Sequence, residues 1–185
     1  MVNDFRNIDY LLRGNSAQKA AHNELTALRL FETFADFKPI LTGTIPIEIN
    51  IDSSDLDIVC EFKDIDHFVD YVKSQYGSME GFGINMKEFY GIPSVVARFR
   101  GKYFDLEIFG QDVPSDQQNA YRHMLIEYRI LEHFGPEFRV EIIKLKKSGY
   151  KTEPAFAKLL GIKGDPYLGL LRYDINVNNK LWIKS

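Results

Sequence analysis

The sequence predicts an α+β fold: a mixed, largely antiparallel sheet flanked by helices, followed by a helical C-terminal region. Three observations carry this expectation. Apolar and acidic residues alternate strictly in DLDIVCEF (55–62) and again in YFDLEIF (103–109). A helical stripe, Ile65, Phe68, Val69, Val72 and Tyr76, separates those two stretches. Beyond Gln111 the apolar residues recur only at helical spacing. With 185 residues, 45% hydrophobic and 14% aromatic, the chain buries roughly 70% of its unfolded surface as one ordinary domain. It divides into an α/β core over 1–112 and a helical region over 113–185 packed on that core.

The elements follow in order. Residues 16–34 read as a helix capped by Asn15 or Ser16, with Ala17, Ala21, Leu25, Leu28 and Phe31 at helical spacing. Lys38-Pro39 ends it, and a short strand (40–42) runs into Gly43-Thr44. Ile45, Ile47, Ile49 and Ile51 alternate as in a strand, interrupted by Pro46. In 55–62, side-chain alternation sends Leu56, Ile58, Cys60 and Phe62 to one face and Asp55, Asp57, Val59 and Glu61 to the other. Asp64 caps the helix over 64–76. Three β stretches follow at about 82–90, 94–100 and 103–109, the last two joined through Arg100-Gly101-Lys102. Helices are predicted over 116–134, 137–148, from Thr152-Glu153-Pro154, and after Asp165-Pro166.

Composition narrows the function. A single cysteine excludes an intramolecular disulfide framework and a cysteine-based zinc cluster. Neither a signal-like apolar run at the N-terminus nor a stretch of membrane-spanning length occurs, which predicts a cytoplasmic protein without a membrane partner. A formal charge of −3 argues against general nucleic-acid binding. That charge is uneven, because acids dominate up to residue 135 and bases beyond it.

The chemistry rests on carboxylates. Asp55 and Asp57 share one side of their strand, about 7 Å apart along it. Asp105 and Glu107 repeat the design, with Phe104, Leu106 and Ile108 facing the core. If the two strands are neighbours, three or four carboxylates converge, and such a cluster repels itself unless a cation neutralises it. Hard oxygen ligands suit Mg²⁺ or Mn²⁺, with Asp55, Asp57, Asp105 and Glu107 as the candidate ligands.

The order of these features resembles the signature of the nucleotidyltransferase superfamily (DNA polymerase β-like fold). Gly43-Thr44 ends a strand, ten residues intervene, and Asp55-Leu56-Asp57-Ile58 follows, with a further carboxylate in Phe104-Asp105-Leu106. The stretches GTIPIEINIDSSDLDIVCEF and KTEPAFAKLL are similar to an uncharacterised bacterial branch of that superfamily (DUF4269-like). The resemblance implies a nucleotidyltransferase-like sheet and a metal-dependent transferase that moves an NMP from an NTP to a hydroxyl of an unknown acceptor. It assigns Asp55, Asp57 and Asp105 to catalysis and metal binding, with Glu107 as alternative or additional ligand, and places Gly43, Thr44 and Ser54 at the nucleotide. Three features depart from the pattern: Gly-Thr replaces the usual Gly-Ser, the interval after the turn reads as a strand instead of a helix, and the basic residue often found in that interval is absent.

Other features have simpler accounts. Asn119, His123 and Glu127 share one helical face that could line a substrate pocket, but a solvated polar face is the expected state. Lys144, Lys146, Lys147 and Lys151 are basic enough to attract phosphates, although lysines near helix ends are common. His22, His67 and His133 belong to no motif, and Cys60 reads as a small buried hydrophobe. Capping alone accounts for Arg13-Gly14-Asn15-Ser16. Two other functions compete with transfer. A non-catalytic nucleotide- or metabolite-binding module would retain the fold without the reaction. A metal-dependent nuclease ranks last, because no lysine follows Glu107 at the required spacing.

Overall fold

A computed structural model describes residues 4–173. Its order is α1 (Ser16–Ala27), α2 (Leu30–Thr33), β1 (Ile40–Thr42), β2 (Leu56–Glu61), α3 (Ile65–Tyr76), β3 (Gly83–Phe89), β4 (Ile92–Arg100), β5 (Asp105–Gln111), α4 (Asn119–Phe134), α5 (Pro136–Lys147), α6 (Thr152–Leu160) and α7 (Pro166–Leu171). The five strands form one sheet in the order β1-β2-β5-β4-β3. Only the β2–β5 pair is parallel; the others are antiparallel. The expected mixed α+β sheet with a helical C-terminal third is therefore present. The predicted helical region extends to 185, and its stretch 174–185 lies outside the described residues.

The first helix is capped as its sequence requires. Asn15 accepts from the Gln18 N–H, while Gln18 Oε1 accepts from the Asn15 N–H, both at 3.0 Å. The predicted helix over 16–34 breaks at Arg29, whose φ of 51° is left-handed and whose N–H bonds to Thr26 O. The break turns Leu30 and Phe34 fully into the core. Asp64 caps α3 by accepting from the N–H groups of Asp66 and His67.

The two faces of the sheet have opposite characters because side chains alternate along each strand. Leu56, Ile58, Cys60, Leu106 and Ile108 are buried on one face, and α3 packs there. Gly110 is required at that contact, since a Cβ would lie 2.4 Å from Phe68 Cε1. Tyr76 stacks on Phe99 at 4.8 Å on the same side. The opposite face carries Asp57 and Val59 on β2 and Glu107 and Phe109 on β5, paired one to one in register.

The interval after Gly43 corrects the strand expected from its alternating isoleucines. It is a compact turn: the Ile49 N–H donates to Thr44 O at 3.1 Å, and the Glu48 N–H donates to Ile45 O at 3.2 Å. Glu48 takes a left-handed φ of 61°. Ile45, Pro46, Ile47 and Ile49 are all buried, so the isoleucines pack into the core from a turn without strand pairing. Gln18 Nε2 donates to the carbonyls of both Ile45 and Pro46 at 3.1 Å, and Arg139 of α5 bonds Ile47 O. These tethers tie the turn to the first and fifth helices.

Candidate active site

The acid-bearing face of the sheet opens into a cleft of about 640 Å³. Its sheet side includes Gly43, Thr44, Asp55, Asp57 and Glu107, and its other wall comes from the C-terminal helices. Asp57 is half-buried and stands opposite Glu107 in the β2–β5 register. Burial pushes its carboxyl up to about 8, with the like charges of Asp55 and Glu107 adding to the effect and Arg98 and Lys146 opposing it. Gly43 has a φ of +79°, and a Cβ there would lie 2.5 Å from Asp57 Oδ2. The turn thus needs glycine both for its left-handed backbone and for the close approach of this carboxylate.

The remaining sequence-predicted residues fall in two groups. Thr44 lines the cleft, and its hydroxyl lies 3.1 Å from that of Ser54. Ser54 Oγ also accepts from the Ile51 N–H at 3.0 Å, so Ser54 braces the turn. Ser54 and Asp105 both line a neighbouring, smaller cleft of about 300 Å³, and Asp55 lines both clefts. Asp105 is on the same face of β5 as Glu107, but its side chain is 65% exposed and accepts from Arg100 Nε at 3.1 Å. Glu107 is only 22% exposed and is ion-paired with Arg98 of β4.

The helical wall carries charge that the sequence reading left to solvent. His123 and Glu127 on α4 are 6% and 3% exposed and line the cleft, as does Asn119. Lys146 of α5 is equally buried, and desolvation lowers its ammonium to about 8 while Glu127, Glu153, Asp55 and Asp57 hold it up. Glu127 is pushed well above the usual carboxylate range by burial and then by Glu153. Of the four lysines noted in the sequence, Lys146 and Lys151 reach the cleft, whereas Lys144 pairs with Glu141. Arg98 had a usable signal, since extending the β4–β5 hairpin register from Arg100 and Asp105 places it opposite Glu107. Phe109 and Tyr167 add aromatic surface, and Phe89 packs edge-on against Phe109 at 5.5 Å.

The donor chemistry fits a hard divalent cation: carboxylate oxygens beside a half-buried acid that is costly to ionise alone. Among the described residues, no group of three or more His, Cys, Asp or Glu side chains is already assembled to hold an ion. The Glu107 carboxylate is engaged in its ion pair with Arg98.

Comparison with solved structures places this architecture. The chain matches a structure of Cid1 described for its RNA terminal uridylyl transferase activity with a TM-score of 0.54 at 14% identity, covering 88% of this chain and 52% of that one. It matches the Cid1 poly(U) polymerase with MgGTP bound with a TM-score of 0.51 at 16% identity, covering 88% and 49%. It also matches Cid1 in complex with its short product ApU, with a TM-score of 0.51 at 12% identity, covering 90% and 53%. The fold is therefore nucleotidyltransferase-like, and this chain spans about half the length of those structures. More narrowly, the chain belongs to the family described as a domain of unknown function, DUF4269, whose model matches residues 23–173. No curated protein matches it. Among the described residues, no helix is long and apolar enough to cross a membrane.

Proposed function

We propose that this protein is a metal-dependent nucleotidyltransferase that moves an NMP from an NTP to an acceptor hydroxyl. The observation that supports it most is the pairing of Asp57 with Glu107 across β2–β5, beside Asp55 and against the Gly43 turn, inside one cleft. In the reaction, the acceptor oxygen attacks the α-phosphorus, the bond to the β-phosphate oxygen breaks, and pyrophosphate leaves. Asp55, Asp57 and Glu107 would hold Mg²⁺ or Mn²⁺. Bound there, the ion neutralises triphosphate charge and lowers the pKa of the attacking hydroxyl.

The chain's own groups do the positioning. Gly43 lets the backbone approach the phosphates, and Thr44 offers an N–H and a hydroxyl to their oxygens. Lys146 and Lys151 supply positive charge from the helical wall, and Phe109 and Tyr167 offer apolar faces to a base. Ser54 acts through Thr44 and the turn. Glu107 takes the role of third carboxylate, ahead of Asp105, because it lines the larger cleft and its charge acts on Asp57. Asp105 remains the alternative through the smaller cleft that it shares with Asp55.

Labelled NTPs with Mg²⁺ and a set of hydroxyl acceptors test the proposal. Cid1 is an RNA terminal uridylyl transferase, so short RNA belongs in that set despite the acidic net charge. Transfer that is lost in Asp57→Asn supports the reading, and transfer that survives it contradicts the reading. The ion pair between Arg98 and Glu107 favours a second function, a nucleotide-binding module without turnover. Nucleotide uptake that needs neither metal nor Asp55 and Asp57 would select that function.

A further inference from the structure

The helical wall holds a buried carboxyl oxygen without a hydrogen-bond partner that phosphate chemistry does not use. Glu127 is 3% exposed, lines the cleft, and its Oε1 is fully buried with no hydrogen-bond partner among the described residues. Buried polar atoms are almost always paired, because leaving one unpaired forfeits its hydration without replacement. The neighbouring groups do not resolve this. Glu153 of α6 lines the same cleft and repels Glu127. His123, one turn earlier on α4, donates from Nε2 to Tyr167 O of α7 at 3.0 Å, and its Nδ1 lies 3.7 Å from Glu153 Oε1. Among the described residues, Lys146 is the one ammonium acting on Glu127, and Asp55 and Asp57 act on it as well. Two carboxylates on the helices thus share a cation that the strand carboxylates also claim.

We propose that Glu127, together with Glu153, forms an acceptor subsite for a primary amine. A ligand ammonium supplies both missing elements, a hydrogen-bond donor for Glu127 Oε1 and a positive charge for the carboxylate pair. A water would supply only the first. The cleft volume of about 640 Å³ is that of a small-molecule site. Because the same cleft holds Asp55 and Asp57, an acceptor anchored by its amine would extend its hydroxyl toward them. The acceptor class is then an amino alcohol or amino sugar. Calling the amine's carrier an acceptor rests on the transferase reading; the amine subsite itself does not.

The test uses the full chain without nucleotide or metal, titrated by calorimetry with matched probes. Glucosamine, ethanolamine and cadaverine are compared with N-acetylglucosamine, N-acetylethanolamine and diacetylcadaverine. At least one amine should bind about tenfold or more tightly than its acetylated counterpart, and Glu127→Gln should erase that difference. Glu127→Gln should also melt no lower than the parent, since an amide of the same size replaces a carboxyl whose buried Oε1 has no hydrogen-bond partner, which confirms that the variant folds. Asp57→Asn should keep the discrimination, so a failure of transfer and a failure of amine binding are separable. Two results overturn the proposal: no amine outbinds its acetylated form, or the difference survives Glu127→Gln.

Discussion

The strand carboxylates and the helix carboxylates of this cleft arise in different ways. Asp57 and Glu107 are held by a ladder, in which the parallel β2–β5 register sets one against the other, and Asp55 stands just before β2. Glu127 and Glu153 are held by packing, because α4 and α6 each pack on α5 and α7 and form a wall of the cleft around side chains that a lone amphipathic helix would leave in water. The strand set is partly open and opposed by Arg98. In the helix set, Glu127 is sealed and opposed by Lys146. On the proposed reading, the first set takes a mobile cation and the second a fixed charge on a ligand.

Transfer kinetics give the largest separation between the two sets. Asp57→Asn should lower kcat/KM by about a hundredfold to a thousandfold, the range for losing a charge-stabilising group at a reacting centre. Glu127→Gln should act mainly on KM for the acceptor, by about tenfold. Equal effects on kcat from both would erase the distinction.

Stability against pH is the next most sensitive. Asp57 titrates at about 8 in the folded protein against 3.8 for its ordinary value. The folded state therefore holds a proton that the unfolded state has lost, and stability contributed by this group declines as pH rises from about 4 to 8. Lys146 has the opposite sign: its pKa falls from 10.5 to about 8, so stability rises with pH between about 8 and 10.5. Melting temperatures of the metal-free protein should show both limbs. Asp57→Asn should remove the lower one and Lys146→Met the upper one.

The strand set was legible in the sequence because a period of two is hard to mistake, and because Leu56, Ile58, Leu106 and Ile108 fix which side is inward. Gly43 was legible for the same local reason, a turn that ends a strand. Which of Asp105 and Glu107 would line the larger cleft was not legible, since both point the same way and only the lengths of β2 and β5 and the side chains of Arg98 and Arg100 separate them. Glu127 and His123 were visible as a shared helical face, but a polar face is buried only when a second element covers it, and the amino-acid order of α4 does not encode what α6 and α7 do. The interval after Gly43 misled because alternating isoleucines satisfy a buried turn as readily as a strand; the tethers from Gln18 and Arg139 are long-range.

Smaller effects probe the scaffold beneath the strand set. Gly43→Ala should cost about 1–2 kcal/mol through the left-handed backbone, with an added loss of activity as the new Cβ displaces the Asp57 carboxylate; chemical denaturation and the transfer assay read the two separately. Gln18→Ala removes two donated bonds to the turn and should cost about 1–3 kcal/mol by the same denaturation.

Asp55, Asp57 and Glu107 are proposed to take a divalent cation beside the Gly43 turn. Crystals soaked with Mn²⁺ and a non-hydrolysable NTP, measured for the anomalous signal of manganese, test it directly. Manganese on these carboxylates beside the triphosphate, with Arg98 withdrawn from Glu107, is the expected result. Manganese bound elsewhere, or a triphosphate seated in the cleft with Glu107 still held by Arg98 and no ion on Asp57, would contradict it.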